Sequence, residues 1–307
     1  MAQEGSVEPV TRQSLKDLAK KALSSWSEIN APRLGAALAF YTMLSIAPLL
    51  VISIAIAGMA FGQEAVRGNV VWQIQDLVGT EGGRAIQAIL EHADKTGAGV
   101  AAGLLGIVTL LFGASGVFVE LRDSMDLIWG VRARRGSGLK GMVMDRFTAF
   151  AMVVGIGFLL MVSLVVSAAI SAAGEFFGGY LPVSELLLHV VNILISYAGV
   201  TFCFGLLYKV VPDARIEWRD VWIGAAVTAA WFSAGKFLIG LYIGKAGVGS
   251  TYGAAGSLVV FLVWVYYSAQ IFFLGAEFTH VFSERHGSRA ERRERRKAVG
   301  APHPRPV

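Results

Sequence analysis

The sequence predicts an all-α integral membrane protein with six transmembrane helices, interfacial amphipathic helices and an outer helical hairpin. Composition is the first reason. Of 307 residues, 55% are hydrophobic and 16% charged, with mean hydropathy +0.59, a balance that a soluble domain of this size could not hide in its core. The second reason is six apolar stretches, at 35–61, 97–118, 147–173, 183–208, 219–243 and 256–282. Each has roughly the 20 residues that cross about 30 Å of hydrocarbon at helical rise. They divide the chain into a cytoplasmic amphipathic segment (1–34), a six-helix transmembrane domain (35–282) and a basic, disordered cytoplasmic tail (283–307).

The distribution of Lys and Arg gives the orientation. Residues 1–34 hold five, 119–146 six, 209–219 three and 283–307 eight, whereas 62–96, 174–182 and 244–255 hold three, none and one. The division of 22 against 4, with Lys236 inside a span, places both termini in the cytoplasm and the protein in a bacterial inner membrane. Residues 1–34 contain no separate apolar run with a small-residue cleavage site, so the first span is expected to stay in place. The one cysteine, Cys203, lies within the fourth span, which rules out a disulfide framework.

The elements follow in order. Leu15, Leu18, Leu23, Trp26 and Ile29 line one face of residues 11–30, with Lys16, Lys20 and Lys21 around the other side. This predicts a helix lying on the inner leaflet. Asn30-Ala-Pro32 marks a turn and the start of the first span. In that span Tyr41, Ser45 and Pro48 share a face, and Pro48 cannot donate to the Leu44 carbonyl, which predicts a kink. Beyond the second span, Leu121, Met125, Ile128 and Trp129 recur at helical spacing, so the helix continues amphipathically into the cytoplasm. On the outside, Val66, Val70, Ile74, Leu77 and Val78 form one stripe and Ile86, Ile89 and Leu90 another after Gly82-Gly83, the predicted hairpin. Small residues at Gly99 and Gly103, at Ser163, Ser167 and Ser171, and at Gly240 and Gly244 allow close helix approach.

The sixth span carries the polar residues of most interest. Tyr266, Gln270, Phe273, Glu277 and His280 fall within an arc of about 80° on a helix, a polar stripe that must face protein or water. A carboxylate costs a few kcal/mol or more against lipid, so Glu277 is expected to point into the bundle, with Arg33, Arg146 and Arg219 as candidate partners. Two readings stand side by side: a structural ion pair near a helix end, or a residue of a transport path. For Gln270 the simpler reading is an interhelical hydrogen bond, and for Lys236 snorkelling to the outer headgroups. The substrate-path candidates are therefore Tyr41, Ser45, Pro48, Lys236, Tyr266, Gln270 and Glu277.

Two stretches carry less than they suggest. "GKAGVGST" (244–251) has the ingredients of a phosphate loop in the wrong order, and "RAERRERRK" (289–297) is a basic run directly after a span, of the kind that fixes topology and touches anionic lipid. His92, His189, His280, His286 and His303 are scattered over different spans and compartments, and no H-x-H, H-E-x-x-H or G-x-S-x-G pattern occurs. The sequence gives no reason to expect a metal, a cofactor or an enzymatic activity. The expected partners are membrane lipids, with anionic inner-leaflet lipid at the basic segments, and a second copy in a homo-oligomer; nucleic acid is not expected.

The stretches "ALAFYTMLSIAPLL" (37–50), "LRDSMDLIWGV" (121–131), "LYKVVPDARIEWRDVWIGA" (207–225) and "GLYIGKAGVGSTYGAAGSLVVFLVWVYYSAQIFFLGAEF" (240–278) resemble the YihY/virulence factor BrkB family of bacterial inner-membrane proteins. The similarity runs from about Arg33 to Phe282. It implies six spans and a role in envelope integrity, serum resistance or lipid export; some members of the family once carried the label ribonuclease BN. Two functions follow from the resemblance and the polar residues together. One is a transporter or flippase of a lipid or other amphipathic envelope component; the other is a non-transporting envelope scaffold. A tRNA-processing ribonuclease, after the old label, lacks the residues for its chemistry.

Overall fold

The computed structural model describes residues 12–61, 68, 71–72, 84, 87, 91, 116–131, 185–214, 216–246 and 256–290, and all regular structure among them is helical. The principal helices are α1 (Arg12–Glu28), α2 (Ala31–Phe61), α3 (116–128), α4 (Glu185–Val210), α5 (Trp218–Ala246) and α6 (Gly256–Arg285). The stripe residues of the expected outer hairpin and the span at 147–173 lie outside the described residues, as do the small residues at 99, 103, 163, 167 and 171.

Helix α1 ends where the sequence predicts. Asn30 adopts φ 54°, a left-handed conformation that Asn tolerates better than most side chains. The Arg33 amide bonds back to the Asn30 carbonyl at 2.9 Å, and α2 begins at Ala31, ahead of the expected residue 35. Pro32 falls in the first turn of α2, where a missing amide hydrogen costs nothing. Helix α2 is continuous through Pro48. Helix α3 closes on Gly130, at φ 63°: Gly130 N–H bonds to the Leu127 carbonyl at 3.2 Å and Val131 N–H to the Asp126 carbonyl at 2.9 Å. This paired arrangement needs a left-handed residue, for which glycine is best suited.

One end of the bundle holds the main core. Leu34 and Leu38 of α2, Met125 and Trp129 of α3, Tyr208 of α4, Val221 and Ala225 of α5, and Phe272, Phe273 and Ala276 of α6 form a single buried cluster. It gathers the starts of α2 and α5 and the ends of α3, α4 and α6, as alternating chain directions require. Helix α6 is central, packing against α1, α2 and α5, while α4 packs against α5.

Helix α1 differs from the expectation of a helix lying on lipid alone. Leu18 and Ala22 are buried against Phe278, Val281 and Phe282 of α6, whereas Leu23, assigned to the same apolar face, is 55% exposed. Residues 18 and 22 are one turn apart and meet α6 together; residue 23 is rotated by about 100° from residue 22 and points away.

Helices α5 and α6 cross with small residues in reciprocal contact. Gly275 of α6 lies under Thr228 and Tyr208, and Gly224 of α5 lies under Thr279; a methyl group at either glycine would collide with the facing threonine. Each threonine satisfies its hydroxyl on its own helix, Thr228 on the Gly224 carbonyl and Thr279 on the Gly275 carbonyl, both at 2.7 Å. Gly240, expected to be a close-packing position, faces open space instead.

Among the described residues, two helical segments, Trp218–Tyr242 and Leu258–Ala290, are long and apolar enough to cross a membrane. On α5, Phe237 and Leu238 are 67% and 64% exposed. The core helix of a soluble protein would bury such side chains, whereas a helix in hydrocarbon presents them outward.

Candidate functional site

The site begins with the α6 stripe. Gln270 presses against Gly35 of α2, close enough that a methyl at position 35 would overlap the amide. Both the Nε2 and Oε1 atoms of Gln270 are buried without a hydrogen-bond partner. Two turns further on, Glu277 is only 2% exposed. Of its expected partners, Arg146 lies outside the described residues. Arg33 instead exerts its charge on Glu120 of α3, and the charged groups acting on Glu277 are the carboxylates of Glu28 and Glu284.

Below Glu277 the stripe becomes an aromatic and charged cluster. The His280 and Trp129 rings lie 5.0 Å apart, His280 Nε2 is 3.4 Å from a Glu284 carboxylate oxygen, and the Arg289 guanidinium sits 4.9 Å over the Trp129 ring. Trp26 Nε1, Ser124 Oγ and Trp129 Nε1 are further buried polar atoms without a partner. Trp26 and Trp129 belong to the core at this end of the bundle.

The other candidates lie apart from this cluster. Tyr41 packs its ring on Gly116 of α3, and the Ser45 hydroxyl bonds within α2, to the carbonyls of Tyr41 at 2.9 Å and Thr42 at 3.2 Å. The α2 residue facing Gln270 is therefore Gly35 rather than Tyr41, because six residues of helix rotate the two about 120° apart. Tyr266 packs beside Ala39, Phe261 and Val265 and against the ring of Tyr267. Pro48 is placed within α2 by its backbone. Lys236 lies on α5, half-buried. Among the described residues no group of three or more His, Cys, Asp or Glu side chains is arranged to hold a metal ion.

Two ties hold the frame around the stripe. Asp126 of α3 accepts the Asp213 amide at 2.7 Å, and Arg122 pairs with Asp213 at 2.5 Å, fastening α3 to the α4–α5 connection. Asp220, in the first turn of α5 and fully buried, accepts the Ser288 amide at 3.1 Å and the Ser288 hydroxyl at 2.6 Å. That contact fixes the segment after α6 and positions Arg289. The signal for Asp220 in the sequence, an acid in a first helical turn, is also the ordinary one for a surface helix start.

The sequence pattern of the Virulence factor BrkB family matches residues 22–300. The chain belongs to that family. The UPF0761 membrane protein of Albidiferax ferrireducens is 27% identical over 277 residues, covering 89% of this chain and 64% of the relative. Its counterpart in Ralstonia nicotianae is 27% identical over 266 residues, covering 85% and 58%, and that of Tolumonas auensis 31% over 185 residues, covering 59% and 57%. The chain spans less than two thirds of the length of these relatives. No solved structure matches it. The relatives are named membrane proteins, and together with the apolar, outward-facing helices they place this BrkB-family chain in a membrane.

Proposed function

We propose that the chain is an inner-membrane transporter or flippase that moves a lipid or other amphipathic envelope component along the side of α6 that faces α2, without enzymatic chemistry. One observation carries the proposal: on that side both side-chain polar atoms of Gln270 are buried without a hydrogen-bond partner among the described residues, and Glu277 is buried two turns away. In a dry bundle an unpaired amide costs on the order of a few kcal/mol, so the arrangement suits a face that meets water, a headgroup or a solute. A groove of about 460 Å³ between α5 and α6, lined by Trp231, Leu238, Tyr242, Tyr267 and Ile271, offers an apolar surface for acyl chains.

This reading takes six spans with both termini cytoplasmic. The 22 to 4 division of basic residues and the convergence of five helix ends on one core support it. The basic segments then face anionic inner-leaflet lipid, and a second copy could pack on the exposed α5 surface. Reconstituted protein should move acyl-labelled lipid between leaflets faster than protein-free liposomes do. A rate equal to that of empty liposomes, for both anionic and zwitterionic probes, contradicts the flippase reading.

The scaffold alternative has its own support. Tyr208, fully buried, bonds to the Thr228 hydroxyl at 3.0 Å and the Phe272 carbonyl at 2.9 Å, a rigid tie among α4, α5 and α6. A scaffold keeps that tie and moves no lipid.

A further inference from the structure

We infer that the exposed aromatic ladder where α4 ends and α5 begins is a binding site for an anionic phospholipid, with Lys209 holding the phosphate. The inference goes beyond transport, because it concerns a lipid held at one place on the outside of the bundle whether or not lipid is moved. Three rings make the ladder. Trp218, the first residue of α5, stacks on Trp222 one turn further along, with ring centroids 6.1 Å apart and planes inclined by 29°. The Trp222 ring reaches across to α4, where it lies beside Gly205 and 5.9 Å from the Phe202 ring. Trp218, Trp222 and Phe202 are 44%, 40% and 37% exposed, so the ladder lies on the outer surface of the bundle. Trp218 also begins the segment of α5 that is long and apolar enough to cross a membrane, which puts the ladder at a membrane boundary.

A cation tops the ladder. The Lys209 ammonium, at the end of α4, donates to the Ile216 carbonyl and sits 5.6 Å from the centre of the Trp218 ring. The carbonyl takes one of the three donors that an ammonium carries. Glu217 and Arg219, exposed on either side of Trp218, balance in formal charge. Phe202 lies seven residues before Lys209, about 10 Å further along the axis of α4. Charge, indole and apolar ring thus follow one another in the order of a phospholipid's phosphate, ester region and acyl chains. Tryptophan favours that ester level, where its ring is apolar and its N–H can donate, and a lysine at the same boundary attracts anionic headgroups. The rings suit the apolar part of any phospholipid, and Lys209 selects the anionic one.

The test is tryptophan fluorescence of the full chain in phosphatidylcholine vesicles, with brominated phosphatidylglycerol or brominated phosphatidylcholine of the same chain length added in increasing mole fraction as quencher. The wild type should reach half of its quenching at a ~5-fold lower fraction of phosphatidylglycerol, the ratio expected for one lysine at an anionic site. Lys209→Gln should bring the two curves together and Lys209→Arg should keep them apart, with the melting temperature followed for each. Trp222→Phe, which retains a ring, should remove the quenched component that shows the preference. Coincident curves for the wild type, a preference that persists in Lys209→Gln, or one that persists undiminished in Trp222→Phe overturns the site. So does an absence of quenching at Trp222 by either lipid, which would show the ladder covered by protein, as by a second copy of the chain. Quenching is read without lipid movement, so a protein that prefers phosphatidylglycerol here and moves no lipid would reject transport and leave the site standing.

Discussion

Thr279 of α6 stands directly over Gly224 of α5, and the contact leaves no room for a methyl group. Thr228 and Gly275 repeat the contact with the helices exchanged. Gly224→Ala should therefore force the helices apart and destabilise the protein by about 1–3 kcal/mol, the usual penalty for overpacking. Gly240→Ala, where nothing stands within 4 Å, should be neutral or slightly stabilising, since alanine favours helix over glycine. Thermal unfolding of both variants in one detergent distinguishes them. Equal melting temperatures for the two would show that the crossing is not close-packed.

The Asp220 clasp makes a local prediction. Asp220→Ala removes the acceptor of both Ser288 bonds and leaves a buried amide and hydroxyl unpaired, at a cost of about 1–3 kcal/mol each if they find no water. The loss should open the segment after α6 before it unfolds the bundle. Limited trypsin digestion should cut after Arg285 and Arg289 faster in the variant, with the helical signal by circular dichroism unchanged. Cleavage rates equal to those of the wild type would contradict the clasp.

At the α3 tie, burial pushes the Asp126 carboxyl above the usual carboxylate range, opposed by the hydrogen bond from the Asp213 amide, with the Asp213 and Asp123 charges raising it and Arg122 lowering it. A raised value in the folded protein means that the fold disfavours the ionised form. The contribution to stability is thus full below the unfolded value of about 3.9 and is lost as pH rises through the folded value. Asp126→Asn keeps the oxygen acceptor and removes the titration. The variant should melt higher than the wild type at about pH 7.5, and the advantage should vanish near pH 4. A difference independent of pH would contradict the assignment.

Much of the frame was legible in the sequence, and the reasons are local. Asn30 and Pro32 mark a turn because each has a backbone preference of its own, and Met125, Ile128 and Trp129 are buried at the spacing that predicted them. The α5–α6 crossing was not legible: Gly224, Thr228, Gly275 and Thr279 sit in apolar runs where small residues are common, and their meaning lies in which helix each one faces. The same holds at the site. Helical spacing put Gln270 and Glu277 on one stripe, but only the packing shows Gly35 opposite Gln270 and a cation on Trp129. Position along the chain offers arginines as candidate partners for Glu277, but it does not give the direction in which an arginine side chain points.

Topology has a direct check. In a Cys203-free background, cysteine introduced as Gln73→Cys should react with an impermeant thiol reagent added outside, and Ser137→Cys should not, if the proposed topology holds the second, flanked by basic residues, in the cytoplasm. Labelling of both positions from outside contradicts the six-span arrangement.

The most direct measurement is lipid movement by the wild type, Gln270→Leu and Glu277→Gln in liposomes of one composition, with insertion and melting temperature checked for each. The account predicts that the wild type moves acyl-labelled lipid between leaflets well above the protein-free rate, and that both folded variants are slowed because each loses a polar group of the α6 face. Wild-type movement no faster than in empty liposomes, or folded variants as fast as the wild type, would contradict it.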